Sequence, residues 1–135
     1  MILDHIGIAV RSIAEARGFY EQGLGLGHEP GIEEVAGEKV RVLKLIVPPG
    51  VHIELLEPTS PDSPIAKFIE KRGPGIHHLS YAVDDIVAAS RKLAEGGWKA
   101  IWEPPRPRAG GCLVNFYHPK DTHGVLTELS QRPNP

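Results

Sequence analysis

Asp4-His5-Ile6-Gly7-Ile8-Ala9-Val10 returns 73 residues later as His77-His78-Leu79-Ser80-Tyr81-Ala82-Val83. A second stretch, Gly50-Val51-His52-Ile53-Glu54-Leu55, returns at an offset of 74 as Gly124-Val125-Leu126-Thr127-Glu128-Leu129. One indel accounts for the difference, so the chain reads as two copies of one half-fold related by a pseudo-twofold axis. A histidine opens each copy and a glutamate stands near its end. If the copies face each other, His5, Glu54, His78 and Glu128 converge. Two imidazoles with two carboxylates form a site for a divalent metal.

Composition sets the outer bounds. The 135 residues are 41% hydrophobic and 24% charged, which fits one globular domain made of two small fused halves. A formal net charge of -2 gives no general attraction to nucleic acid or to an anionic membrane, so any anion site must be local. Cys112 is the only cysteine, which excludes an intrachain disulfide framework. No apolar run approaches the roughly 20 residues of a membrane span. The chain opens on a strand pattern without a charged-then-apolar leader, so a cytoplasmic protein is expected.

Working outward from the repeat, residues 3–10 read as a buried strand. Ser12 with Glu15 three positions later is a capping box. Ile13, Ala16, Tyr20 and Leu24 then recur at helical spacing on one expected buried face, and Gly23, Gly25 and Gly27 mark the end. The second copy repeats this, with Asp84 or Asp85 as cap, Ile86, Ala89 and Leu93 as the stripe, and Gly96-Gly97 as the stop. After the first helix, turn signals at Pro30-Gly31, Ala36-Gly37 and Pro48-Pro49-Gly50 delimit three strands. Extended segments near 98–103, 111–118 and 124–130 match them in the second copy. The expected class is therefore α+β, as two βαβββ modules over 1–57 and 75–135 forming a curved, half-open barrel-like sheet around the metal site. Between them, the linker 58–74 holds a short helix over 65–71, with Ser63 as N-cap and Pro64 at its first position.

Strands hold ligands more rigidly than loops do, and all four candidates lie on predicted strands. Aligning Ala82-Val83 with Ala9-Val10 selects His78 over His77, because alternation lets only one of two adjacent residues face the site. His77 is then structural. Glu54 and Glu128 each stand in an otherwise apolar strand, where an inward carboxylate is costly unless a cation neutralises it. A solvated strand face is the ordinary alternative for either glutamate alone, and the matched positions argue against it.

With those residues in place, the sequence resembles the vicinal oxygen chelate superfamily, which takes in glyoxalases, bleomycin- and fosfomycin-resistance proteins, extradiol dioxygenases and methylmalonyl-CoA epimerases. Its epimerases are the closest match. The resemblance runs from Leu3-Asp4-His5 through Asp62-Ser63-Pro64-Ile65-Ala66 and Gly75-Ile76-His77-His78-Leu79. It continues with His118-Pro119-Lys120-Asp121 and Gly124-Val125-Leu126-Thr127-Glu128-Leu129. It implies a divalent ion (Co2+, Ni2+, Mn2+ or Zn2+) that is chelated by the acyl group of a coenzyme A thioester and stabilises an enolate. Epimerisation then needs two acid/base groups flanking the substrate. The resemblance points to Glu128 as one, and Glu38, at the start of the predicted strand 40–46, is the candidate for the other. Relatives are commonly homodimers, so a homodimer is expected.

Two positions depart from the family pattern. Some epimerases carry glutamine where Glu54 stands, and a glutamate there matches glyoxalase I-type lyases as well. Lys44 shares a strand face with Val40 and Val42 where relatives carry an apolar or aromatic residue. It is either solvated or, where it reaches the pocket, a ligand for a substrate carboxylate or a group acting in proton transfer. Arg106 and Arg108, among prolines, are either solvated or a grip for coenzyme A phosphates. Lys71-Arg72 suit the C-terminal dipole of the linker helix, Cys112 reads as packing, and Ala109-Gly110-Gly111 as a turn. Two further functions fit the same residues: a glyoxalase I-type lyase acting on a thiol adduct, and a non-catalytic protein that sequesters a small ligand.

Overall fold

In β1 (Ile2–Ala9) the residues His5, Gly7 and Ala9 are buried, and in β6 (Gly75–Ala82) so are His78 and Ser80. A strand repeats every two residues, so each set shares one sheet face. The computed structural model describes residues 1–133, and these resolve into two units, Met1–Asp4 with the chain from His78 onward, and His5–His77.

In the unit His5–His77, β5 (Val51–Pro58) runs parallel to β1 and antiparallel to β4 (Val40–Val47). The outer edge of β4 carries β2 (Gly27–His28) and β3 (Glu33–Val35), both antiparallel to it. Between the pairs His28↔Leu45 and Glu33↔Val42, four residues on one side face two on the other. One of the three expected strands is therefore interrupted, around a turn in which Gly31 takes a left-handed φ of 75°. In the other unit β6 is parallel to β9 (Leu126–Gln131), β9 is antiparallel to β8 (Leu113–Tyr117), and β8 to β7 (Arg106–Pro107). Parallel and antiparallel pairs together with three α-helices make the class α+β.

The capping signals fall where the sequence places them. Ser12 Oγ accepts the Glu15 N–H at 3.2 Å at the head of α1 (Ile13–Gly18). The buried hydroxyl of Ser63 accepts the Ile65 N–H at 3.1 Å for α2 (Pro64–Arg72). Asp85, rather than Asp84, caps α3 (Ile86–Glu95) through the Ala88 N–H at 3.0 Å. Gly97, with φ 95°, follows the stop.

One expectation fails at the end of α1. The helix widens into a π turn over Phe19–Gly23, closed by the Leu24 N–H on the Phe19 carbonyl at 2.9 Å. The wider turn breaks the three-and-four spacing, so Leu24 leaves the buried stripe and is 56% exposed. A second correction concerns 98–103, which is not a strand. Pro104 and Pro105 lack N–H groups and cannot continue a ladder there. The Ile101 N–H still donates to the Phe116 carbonyl at 2.8 Å. Beyond it the buried side chain of Asn115 replaces the backbone, accepting the Trp102 N–H at 3.1 Å and donating to the Trp102 carbonyl at 2.7 Å.

Each unit packs one sheet face under its own helix. In the first, Val10, Ile13, Leu43, Leu45 and Leu55 are buried together, with Ile53, Ala16 and Tyr20 against them. In the second, Ile86, Tyr117 and Leu129 are joined by Tyr81, Val83, Ala89 and Leu93. Burying a side chain such as Leu43 or Ile86 is worth about 1.5–3 kcal/mol, so the helix side of each sheet is fixed. The opposite face holds the residues of interest. On the first unit it is partly closed by α2, whose Ile65 packs with Ala9, Val40, Val42 and Leu56. The start of α2 is tied down by a surface pair between Lys39 and Asp62. That bond and one from Ser60 hold the Asp62 carboxyl down at about 2.

Candidate active site

The sheet face of the first unit opposite α1 collects His5, Gly7, Lys44 and Glu54. Glu54 is the Cα partner of Gly7 on β1 and of Lys44 on β4. His5 Nδ1 lies 3.4 Å from Glu54 Oε2, with both side chains at least 85% buried. Lys44 is half-buried on the same face as Val40 and Val42. His52, the Cα partner of His5, marks the rim and pairs with Glu29 at 3.2 Å.

The second unit repeats the arrangement with different neighbours. Glu128 is the Cα partner of Ser80 on β6 and of Phe116 on β8. His78 Nε2 stands 3.8 Å from Glu128 Oε1, and both side chains are 10% exposed. The Phe116 ring meets His78 edge-on at 6.3 Å. A buried carboxylate beside an imidazole needs positive charge. Neither separation is that of a good hydrogen bond, which lies near 2.9 Å. Donor atoms that each sit about 2.1 Å from one ion, at tetrahedral or octahedral angles, are about 3 to 3.5 Å apart. The donor types in both units thus fit a divalent cation; the 3.4 Å spacing of the first pair falls in that range, and the 3.8 Å of the second lies slightly beyond it.

The remaining candidates lie elsewhere. Glu38 is half-buried in a short 3-10 turn, Ala36–Glu38, two residues ahead of β4 rather than on it. Arg106 and Arg108 gather on an aromatic ring that sequence reading passed over. Their guanidinium carbons lie 4.3 and 5.5 Å from the centre of Trp102. That ring meets Phe116, the strand neighbour of Glu128, at 5.5 Å and 90°. A tryptophan four and six residues ahead of two arginines was the available signal. His77 packs edge-on against Phe68 at 5.0 Å, and half-buried Cys112 contributes its carbonyl to the Arg108 N–H at 2.8 Å. Ser80 and Phe116 were also overlooked, because nothing in their identity marks them until strand register sets them beside Glu128.

Residues 4–116 match the model of the Glyoxalase/Bleomycin resistance protein/Dioxygenase superfamily, and the chain belongs to that family. Among named relatives, the ethylmalonyl-CoA/methylmalonyl-CoA epimerase of Cereibacter sphaeroides is 40% identical over 131 residues, 96% of each chain. A solved structure of a hypothetical protein from Bacillus halodurans superposes with a TM-score of 0.91 at 42% identity, covering 98% of this chain and 95% of that one. A variant of Streptomyces coelicolor methylmalonyl-CoA epimerase, solved in complex with 2-nitronate-propionyl-CoA, superposes at 0.86 with 32% identity over 99% of both chains. Among the described residues, no helix is long and apolar enough to cross a membrane.

Proposed function

We propose that this protein is a methylmalonyl-CoA epimerase that inverts the α-carbon of its thioester substrate by moving one proton. The observation that carries this reading is the end-to-end likeness, at 40% identity, to an epimerase of nearly the same length. The two matched His–Glu pairs support it. In this reading His5, Glu54, His78 and Glu128 together hold one divalent cation, either Co2+, Ni2+, Mn2+ or Zn2+. The bound cation supplies positive charge at the thioester and carboxylate oxygens of the substrate and so stabilises the enolate.

The chain's own groups do the rest. Glu128 takes the α-proton from one face, leaving the C–H electron pair delocalised into the thioester carbonyl. Glu38 returns a proton on the opposite face, and the configuration inverts. Lys44, directly across from Glu54, pairs with the remaining oxygen of the substrate carboxylate and fixes which group of the malonyl unit lies where. Arg106 and Arg108, seated on Trp102, take the phosphates of coenzyme A. Assembly as a homodimer in the cytoplasm completes the reading.

Proton NMR of methylmalonyl-CoA in deuterated water tests it. Metal-loaded protein is expected to erase the α-proton signal, and His78→Ala to leave it. Persistence of the signal with saturating metal, alongside turnover of a glutathione hemithioacetal, would transfer the protein to the glyoxalase-type lyases.

A further inference from the structure

Ser80 is fully buried, and its hydroxyl has no hydrogen-bond partner among the described residues. A buried hydroxyl left unpaired is costly, so its persistence calls for a partner in the working state. The register supplies one candidate. On adjacent parallel strands Ser80 is the Cα partner of Glu128, and both side chains lie on the face opposite α3, whose own contacts are with Tyr81 and Leu129. His78 is two residues before Ser80 on that same face. A carboxylate has about four acceptor positions, so it can bind a metal through one oxygen and still accept an O–H at the other. A serine hydroxyl reaches three staggered positions by rotation about χ1 alone.

We propose that Ser80 is a positioning residue for Glu128. Its hydroxyl donates to the Glu128 carboxylate and orients it as a ligand, an assignment that rests on the metal-binding reading above. Groups that hydrogen-bond to a ligand fix its orientation, and their loss typically weakens metal binding 10–100-fold. The repeat supplies an internal contrast, because the residue opposite Glu54 is Gly7, which has no side chain to donate. Of the two carboxylates, Glu128 is therefore the one with a hydroxyl opposite it on the parallel strand, where Glu54 has a glycine.

The test is calorimetric titration of metal-free protein with Mn2+ alone, run on wild type, Ser80→Ala, Ser80→Thr and His78→Ala. Ser80→Ala is expected to weaken Mn2+ binding at least tenfold, while its metal-free melting temperature stays at or above that of wild type. Threonine, which keeps the hydroxyl, is expected to restore most of the affinity. Wild-type affinity in Ser80→Ala, with binding lost in His78→Ala, would overturn the role of Ser80 and leave the metal site standing. Undiminished binding in His78→Ala would overturn the site itself, and the role of Ser80 with it.

Discussion

Around Glu54 the neighbouring strands present a glycine and a lysine, whereas around Glu128 they present a serine and a phenylalanine. The two carboxylates occupy matched places beside matched histidines and both are buried, yet one has a cation opposite it and the other an aromatic ring and a hydroxyl. A lysine opposite a carboxylate suits an anionic substrate group. A phenylalanine and a buried hydroxyl suit a carboxylate that must keep one orientation while it exchanges a proton. In the proposed function the repeat provides two copies of a ligand pair, and the differing flanking strands would separate substrate binding from proton transfer.

The sharpest way to break that division is to neutralise each carboxylate in turn. Glu128→Gln is expected to lower kcat about a thousandfold, the range for loss of a general acid/base. Glu54→Gln, which removes charge but keeps a donor atom, is expected to lower it only about tenfold. Initial rates on (S)-methylmalonyl-CoA measure both, and equal losses would erase the difference between the halves.

A second contrast lies on β4 and β8. Leu43 precedes Lys44 as Asn115 precedes Phe116, and both are about 1% exposed. Leu43 packs in the apolar core under α1. Asn115 instead bonds Trp102 at both its N–H and its carbonyl, and also accepts the Phe116 N–H at 2.9 Å. Asn115→Leu would install the first half's residue in the second and leave those groups unpaired. A loss of about 2–3 kcal/mol in urea denaturation is expected, with a drop in the Trp102 contribution to near-ultraviolet circular dichroism. An unchanged unfolding midpoint would show that the Trp102 loop is held by other contacts.

Lys44→Met probes the first half. It is expected to raise KM for methylmalonyl-CoA about tenfold, the loss of one charge-assisted contact, and to leave kcat within about twofold. A fall in kcat with KM unchanged would move Lys44 from substrate binding to proton transfer. The smallest effect belongs to the arginines on Trp102. Arg106→Ala is expected to raise KM roughly threefold at low salt and not at all near 0.5 M salt, because exposed charges are screened there. A salt-independent change would point to packing against the ring.

Much of this was legible in the chain itself. Repeat offset and alternation located β1 and β6, and with them His5 and His78. Caps at Ser12, Ser63 and Asp85 rest on local hydrogen bonds and need no tertiary knowledge. The π turn after α1 was not legible, because apolar spacing up to Leu24 continues a normal helical stripe and only packing decides where the helix widens. Residues 98–103 look extended by composition, yet what holds them is a side-chain amide on another strand, which no local pattern reveals. Ser80, Phe116 and Trp102 escaped for the same reason. Their importance comes from cross-strand register and ring contacts, while Lys44 was noticed because a cation on an apolar face is conspicuous in sequence.

In the proposed function both His–Glu pairs hold a single ion. Metal stoichiometry by native mass spectrometry tests it most directly, on wild type, His5→Ala and His78→Ala loaded with Co2+. One ion per chain in wild type, lost in either variant, is the expected result. Two ions per chain, or one that survives in each single variant, would mean that each half binds on its own and would contradict the shared site.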